Sequence, residues 1–189
     1  GCDVRIDISN GQRSSRMILL IQNNDGYHKL SRWLTRGFTG ERDSHDAAIK
    51  FEWMKEDGTE GLIGLSGWGS GDIEQALKNA DQSVARDRTR QWIDLFPNRF
   101  YFEVQRIDPA VRDAIEPGIL SLANDLSIPV VATHPVEFLE PEEFLAHEAR
   151  FCISDGYLLA DQGRPRPFKE SQYFKSPEEM EELFSDLPV

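Results

Sequence analysis

The 189 residues hold only two cysteines, Cys2 and Cys152. Two thiols so far apart make neither a disulfide framework nor a zinc-ligand spacing, and they suit a reducing, cytoplasmic setting. Positive charge is also scarce: 21 Lys and Arg face 33 Asp and Glu, for a net charge of −12. Such a surface repels phosphate backbones and excludes unaided nucleic-acid binding. No apolar run is long enough to span a bilayer. The opening residues, Gly1 to Arg5, have neither the basic start nor the apolar core of a signal peptide. No internal repeat and no low-complexity tract is present. The chain suffices for one domain with a sizeable core, or for a piece of a larger one.

What is present is an alternation of strand and helix patterns. Apolar runs at Arg16 to Asn23, Gly61 to Gly67, Arg99 to Arg106 and Ile128 to Thr133 predict strands. The stretch Asn24 to Phe38 predicts a helix with Gly37 at its end. A polar loop over Gly40 to Asp46 precedes a helix over Ala47 to Glu56. Asp72, with Gln75 three residues on, reads as a capping box. Val84, Arg88, Trp92 and Leu95 fall at helical spacing. Asp108-Pro109 opens a further helix, which Pro117-Gly118 is expected to break. Glu140 to Ile153 predicts a helix with an acidic first turn. Ser176, Pro177 and Glu179 form the N-terminal signature of a last one. The pattern predicts an α/β fold with a mainly parallel sheet.

Several residues invite a chemical reading. His134 follows the buried run Val130 to Ala132, and the C-terminal ends of strands are where α/β folds place chemistry. Its plain alternative is a loop histidine held by the turn before Pro135; Glu137 is a potential partner. "SGWGSGD" (Ser66 to Asp72) lies between a strand and a helix, the layout of a phosphate site. It lacks the P-loop ending and the dinucleotide spacing, so it reads as a tight βα turn. His147 stands one turn from Glu143 and beside Glu148; a histidine–carboxylate pair on a solvated face is the plainer reading than a metal site. His28 and His45 lie in polar surroundings. The loop "GRPRPF" (Gly163 to Phe168) carries two arginines, expected in ion pairs rather than on DNA.

The blocks "NNDGYHKLSRWLTRGF", "GLIGLSGWGSGDI", "LFPNRFYFEVQR", "IPVVATHPVEFLEPEEFLAHEARFCISDGY" and "QYFKSPEEMEELFSDLP" occur in that order. Together they resemble the polymerase-and-histidinol-phosphatase (PHP) domain that begins the bacterial replicative polymerases, the DNA polymerase III alpha subunit family. The resemblance covers nearly the whole chain, residues 1–189. It implies an incomplete, distorted (β/α)7 barrel that lacks its first strands. Metal-holding members use a ring of His, Asp, Glu and Cys. By resemblance, those positions fall on Asp3, Arg16, Trp68, Pro135 and Glu137, with His134 beside them. Only Asp3 and Glu137 keep metal-capable oxygens, so the expectation is a vestigial site with no catalytic residue, metal or cofactor.

The implied function is a scaffold that buttresses the polymerase domains of the parent chain and docks the proofreading 3′–5′ exonuclease subunit. The parent would be a DNA-directed DNA polymerase using magnesium elsewhere. The alternative is a manganese- or zinc-dependent phosphoesterase, pyrophosphatase or 3′–5′ exonuclease of PHP type. Because the first strands would lie upstream of Gly1, the isolated piece is expected to pair as a dimer through an open sheet edge.

Overall fold

A computed structural model of the chain describes residues 1–8, 14–40 and 48–187. Among them are a six-stranded sheet and seven α-helices, a mixed α/β architecture. The chain divides into two compact units. The first comprises Gly1–Val104 and Asp113–Val131, the second Gln105–Arg112 and Ala132–Val189. No helix among the described residues is long and apolar enough to cross a membrane.

The sheet order is β3 (Ile49–Lys50), β1 (Cys2–Asp7), β2 (Ser15–Ile21), β4 (Leu62–Leu65), β5 (Phe100–Val104), β6 (Val130–Ala132). As the sequence pattern suggests, most strands run the same way: among β1 to β5 only β2 is reversed. β1 and β2 are antiparallel, as are β2 and β4, while β1–β3 and β4–β5 are parallel. The reason is connection length. Seven residues separate β1 from β2, and a parallel crossover needs about a dozen. Val4, Ile6, Met17 and Leu19 fill one face of this pair and are buried. The alternate residues Asp3, Arg5, Arg16 and Ile18 fall on the other face, with Arg5 directly opposite Arg16.

Helix α1 (Asn24–Thr39) starts where the Asn23 side chain accepts from the Gly26 amide at 3.0 Å. It runs through Gly37 and ends at Gly40. Gly37 is a point of close approach instead: a Cβ there would lie 2.8 Å from the Ala48 carbonyl oxygen. Helix α2 is shorter than expected, Phe51–Asp57, because Ile49 and Lys50 pair with β1. Helix α4 (Gln82–Leu95) buries Ala85, Thr89 and Trp92, one position off the expected stripe; Val84 is exposed. Trp92 is common to both stripes. It packs edge-on against Phe51 at 5.1 Å and donates to Asp72 at 2.9 Å.

Helix α5 (Pro109–Leu126) is continuous through Pro117, contrary to the expected break. Proline removes one amide from the helical ladder. Burial of Ile115, Ile119 and Leu122 on one face outweighs that local loss. Gly118 allows the approach: a Cβ would meet Leu77 Cδ2 at 2.7 Å.

In the second unit, a 3₁₀ turn (Pro141–Glu143) leads into α6 (Phe144–Asp155), and α7 spans Pro177–Leu183. The Ser176–Glu179 capping box forms as the sequence indicates. Phe138 is buried beside Phe144 and His147, and Phe168 meets His147 edge-on at 4.4 Å. Arg164 is buried and pairs with Glu148 at 2.9 Å. This is the intramolecular ion pair expected of the arginine-rich loop; Arg166 is exposed. Removing one member of a buried pair strands the other charge. Arg164→Ala is therefore expected to destabilise this unit by about 3–5 kcal/mol, read by urea denaturation. A change below about 1 kcal/mol, the range of an exposed pair, would refute that assignment.

Candidate functional site

Within the first unit, the strand-end residues converge on a buried acidic network. Ser66 follows the end of β4, and the turn after it uses Gly67 and Gly69 at φ of 79° and 74°. Gly67 is required sterically, since a Cβ would sit 2.2 Å from the Arg16 carbonyl oxygen. The turn's amides are consumed internally. Those of Ser70 and Gly71 donate to Gly67, that of Trp68 to Glu103 Oε2 at 3.1 Å, and that of Asp72 to Ser15 Oγ at 2.8 Å. "SGWGSGD" is thus built as a tight βα turn, and these donors are not directed at a phosphate.

Asp72 is the first residue of α3 (Asp72–Lys78), not its cap. The expected box with Gln75 does not form, because Asp72 accepts from Trp92 and Ser15, while Gln75 donates to Gly69. Burial holds the Asp72 carboxyl above its usual range; bonds from Trp92 and Ser15 and the charge of Arg88 oppose this.

Glu74 and Glu103 are fully buried. The Ser66 hydroxyl joins them: it donates to Glu74 Oε1 and accepts from the Glu103 amide at 3.1 Å. Glu74 Oε2 has no hydrogen-bond partner. Desolvation pushes the Glu74 carboxyl up to about 8; the Ser66 bond resists and the charges of Asp72 and Glu103 add. At neutral pH Glu74 is therefore an uncharged acid. The sequence reading missed both glutamates. Glu103 carried a signal, a charged residue inside the buried run "FYFEV"; Glu74 sits among the buried Ile73, Ala76 and Leu77 of α3.

Asp3 and Arg16 are brought together across β1 and β2. Arg16 Nε and one terminal nitrogen each lie 2.8 Å from Asp3 Oδ2. The Asp3 hydrogen bond, opposed by partial burial and aided by the charges of Asp3, Glu103 and Glu74, holds the guanidinium still more firmly protonated than usual. Asp3, Arg5, Ser14, Arg16 and Ser70 line a cavity of about 670 Å³. Trp68 is buried in the same unit.

His134, Pro135 and Glu137 belong to the second unit. There the segment after β6 runs beside residues 171–174, with Phe138 and Tyr173 forming a parallel bridge. His134 Nε2 lies 2.8 Å from the Ser171 carbonyl, the Pro135 carbonyl accepts from the Gln172 side chain at 3.2 Å, and the Glu137 amide donates to Gln172 O at 2.8 Å. Burial lowers the affinity of His134 for a proton, the Ser171 carbonyl and Glu179 opposing and Lys175 assisting. In this position the imidazole fastens two chain segments. The Glu137 residue is exposed.

His147 does not form the expected pair with Glu143 or Glu148. Glu143 accepts from the amides of Leu139 and Glu140, Glu148 binds Arg164, and His147 lies among aromatic rings. His28 is exposed beside Tyr27, and His45 lies outside the described residues. Among the described residues, no group of three or more His, Cys, Asp or Glu is placed to hold a metal ion.

Comparison with known proteins gives this arrangement its context. The PHP domain family model matches residues 1–107. This chain belongs to the PHP domain family. Similarity to curated proteins extends beyond the PHP match. The chain is 41% identical over 189 residues to DNA polymerase III subunit alpha of Neisseria meningitidis serogroup A, covering 98% of this chain and 16% of that one. The corresponding Pseudomonas aeruginosa protein is 41% identical over 174 residues, covering 92% and 15%. That of Escherichia coli strain K12 is 33% identical over 178 residues, covering 94% and 15%. The chain thus spans about one-sixth of the length of these relatives.

The buried acid at the centre of this PHP unit gives a pH signature. Glu74 titrates near 4.5 when ordinary and at about 8 when folded. Between those values the folded form keeps a proton that the unfolded form has released. Its stabilising contribution is full below about 4.5 and is lost as pH rises through about 8. Thermal melts from pH 5 to 9 are expected to show a steeper decline for the wild type than for Glu74→Gln. Equal slopes would mean that Glu74 is ionised in the fold.

Proposed function

We propose that this chain is the PHP segment of a bacterial DNA polymerase III alpha subunit. In this reading residues 1–189 form one structural segment of a cytoplasmic DNA-directed DNA polymerase, arranged as part of a distorted (β/α)7 barrel. Its role is that of a non-catalytic scaffold, which buttresses the polymerase domains and docks the separate proofreading 3′–5′ exonuclease subunit. The identity of the relatives supports the assignment to the polymerase.

The observation that carries the non-catalytic part is the Asp3–Arg16 ion pair. PHP chemistry needs anionic or imidazole ligands converging on metal ions. Here the carboxylate at the first such position is engaged by a guanidinium, which supplies the positive charge itself. Trp68 offers no ligand atom of use, and Pro135 none. The donor set does not fit a divalent cation. The magnesium of polymerisation belongs to the polymerase domains. The acidity of the chain supports the absence of a DNA contact of its own.

The test is metal content together with hydrolysis. The purified protein, loaded with manganese or zinc and desalted, is expected to retain no stoichiometric metal and to cleave neither pyrophosphate nor a 3′ phosphoester. Bound metal released by Asp3→Ala would establish a metal-dependent phosphoesterase instead. Primer extension by the full-length gene product tests the polymerase assignment separately. Its co-elution with the exonuclease subunit in gel filtration tests the docking role.

A further inference from the structure

The unexplained surface of this chain is apolar and lies in the second unit. Among the described residues, eight of the thirteen exposed large apolar side chains are there, including Leu139, Leu145, Ile153, Leu158 and Phe174. Helix α6 concentrates the effect. One face is committed to the unit's own interior through Glu148 and Cys152. Flanking it, exposed Leu145, half-buried Ala149 and exposed Ile153 recur every fourth residue, the spacing of a single helical stripe. Leu145 is 60% exposed and Ile153 81% exposed. Leu158, just past the Gly156 cap, is 71% exposed. Exposed apolar side chains grouped in this way mark a surface that a partner covers.

We propose that the outward face of α6, formed by Leu145, Ala149 and Ile153, is the seat on which the later part of the same polymerase chain packs. This rests on the reading above and names the surface through which the buttress acts. Three observations select that occupant. The relatives are about six times as long as this chain, so most of the parent polypeptide is available to cover the face. The PHP match ends at residue 107, whereas similarity to the polymerases covers 92–98% of the chain. α6 thus lies beyond the PHP match, in sequence shared with the polymerases. The face itself is aliphatic, and permanent contacts are more hydrophobic than those between exchangeable subunits. A tethered domain also meets it at high effective concentration.

The test is thiol labelling of the full-length chain at two adjacent positions. Ile153→Cys lies on the stripe. Ser154→Cys is exposed, about 100° around the helix. Mapping the labelled peptides separates these thiols from Cys2 and Cys152. In the full-length protein alone, Cys at 153 is expected to react at least about tenfold more slowly than Cys at 154, as a buried site does. The two rates should become equal in denaturant. Equal native rates would overturn the proposal. So would protection that appears only when the exonuclease subunit is added, which would make the face a subunit interface. Protection that rises with protein concentration would assign it to a second copy and equally overturn the proposal. If primer extension by the same full-length protein succeeds while residue 153 is reactive, this inference fails and the polymerase assignment stands.

Discussion

A single buried hydroxyl ties the first unit's strand ends together. Ser66 Oγ donates to Glu74 at the start of α3 and accepts from the Glu103 amide in β5. Glu103 in turn accepts from the Trp68 amide, which fixes the glycine-rich turn. Without that chain of bonds, two fully buried carboxyl groups would lack solvation, and each would cost far more than one exposed ion pair. The arrangement is tolerable because Glu74 remains protonated and because the Arg16 guanidinium adds a compensating positive charge nearby.

This arrangement bears on how strand ends that gather acidic groups hold their shape. Strand ends that converge on acidic groups repel one another unless something positive sits among them. A divalent cation is one solution. A fixed guanidinium together with a neutralised carboxyl is another, and it needs no ion from solution. The Asp3–Arg16 pair and the uncharged Glu74 constitute that second solution.

Local signals were legible wherever the partners lie within a few residues. The Ser176–Glu179 box depends only on neighbouring atoms, and the helix begins there. Expectations drawn from the same kind of signal failed where distant groups competed for it. Asp72 left the predicted box because Trp92 and Ser15 claim its oxygen. Pro117 failed to break α5 because burial along one face outweighs a single missing amide. His147 left its carboxylate neighbours because Arg164 claims one of them and the helix start claims the other.

The sequence by itself determined the alternation of elements, several of the helix starts, and the family to which the ordered blocks belong. These depend on composition, short-range geometry and residue identity, all of which a linear string displays. Tertiary structure alone decided the antiparallel pairing of β1, β2 and β4, the rotation of α4 about Trp92, and the meeting of Ser66, Glu74 and Glu103. It also set the roles of the two candidate histidines, one fastening chain segments and one packed among rings. Each of these is a competition among groups far apart in the chain, settled by burial and hydrogen-bond satisfaction, which no periodicity records.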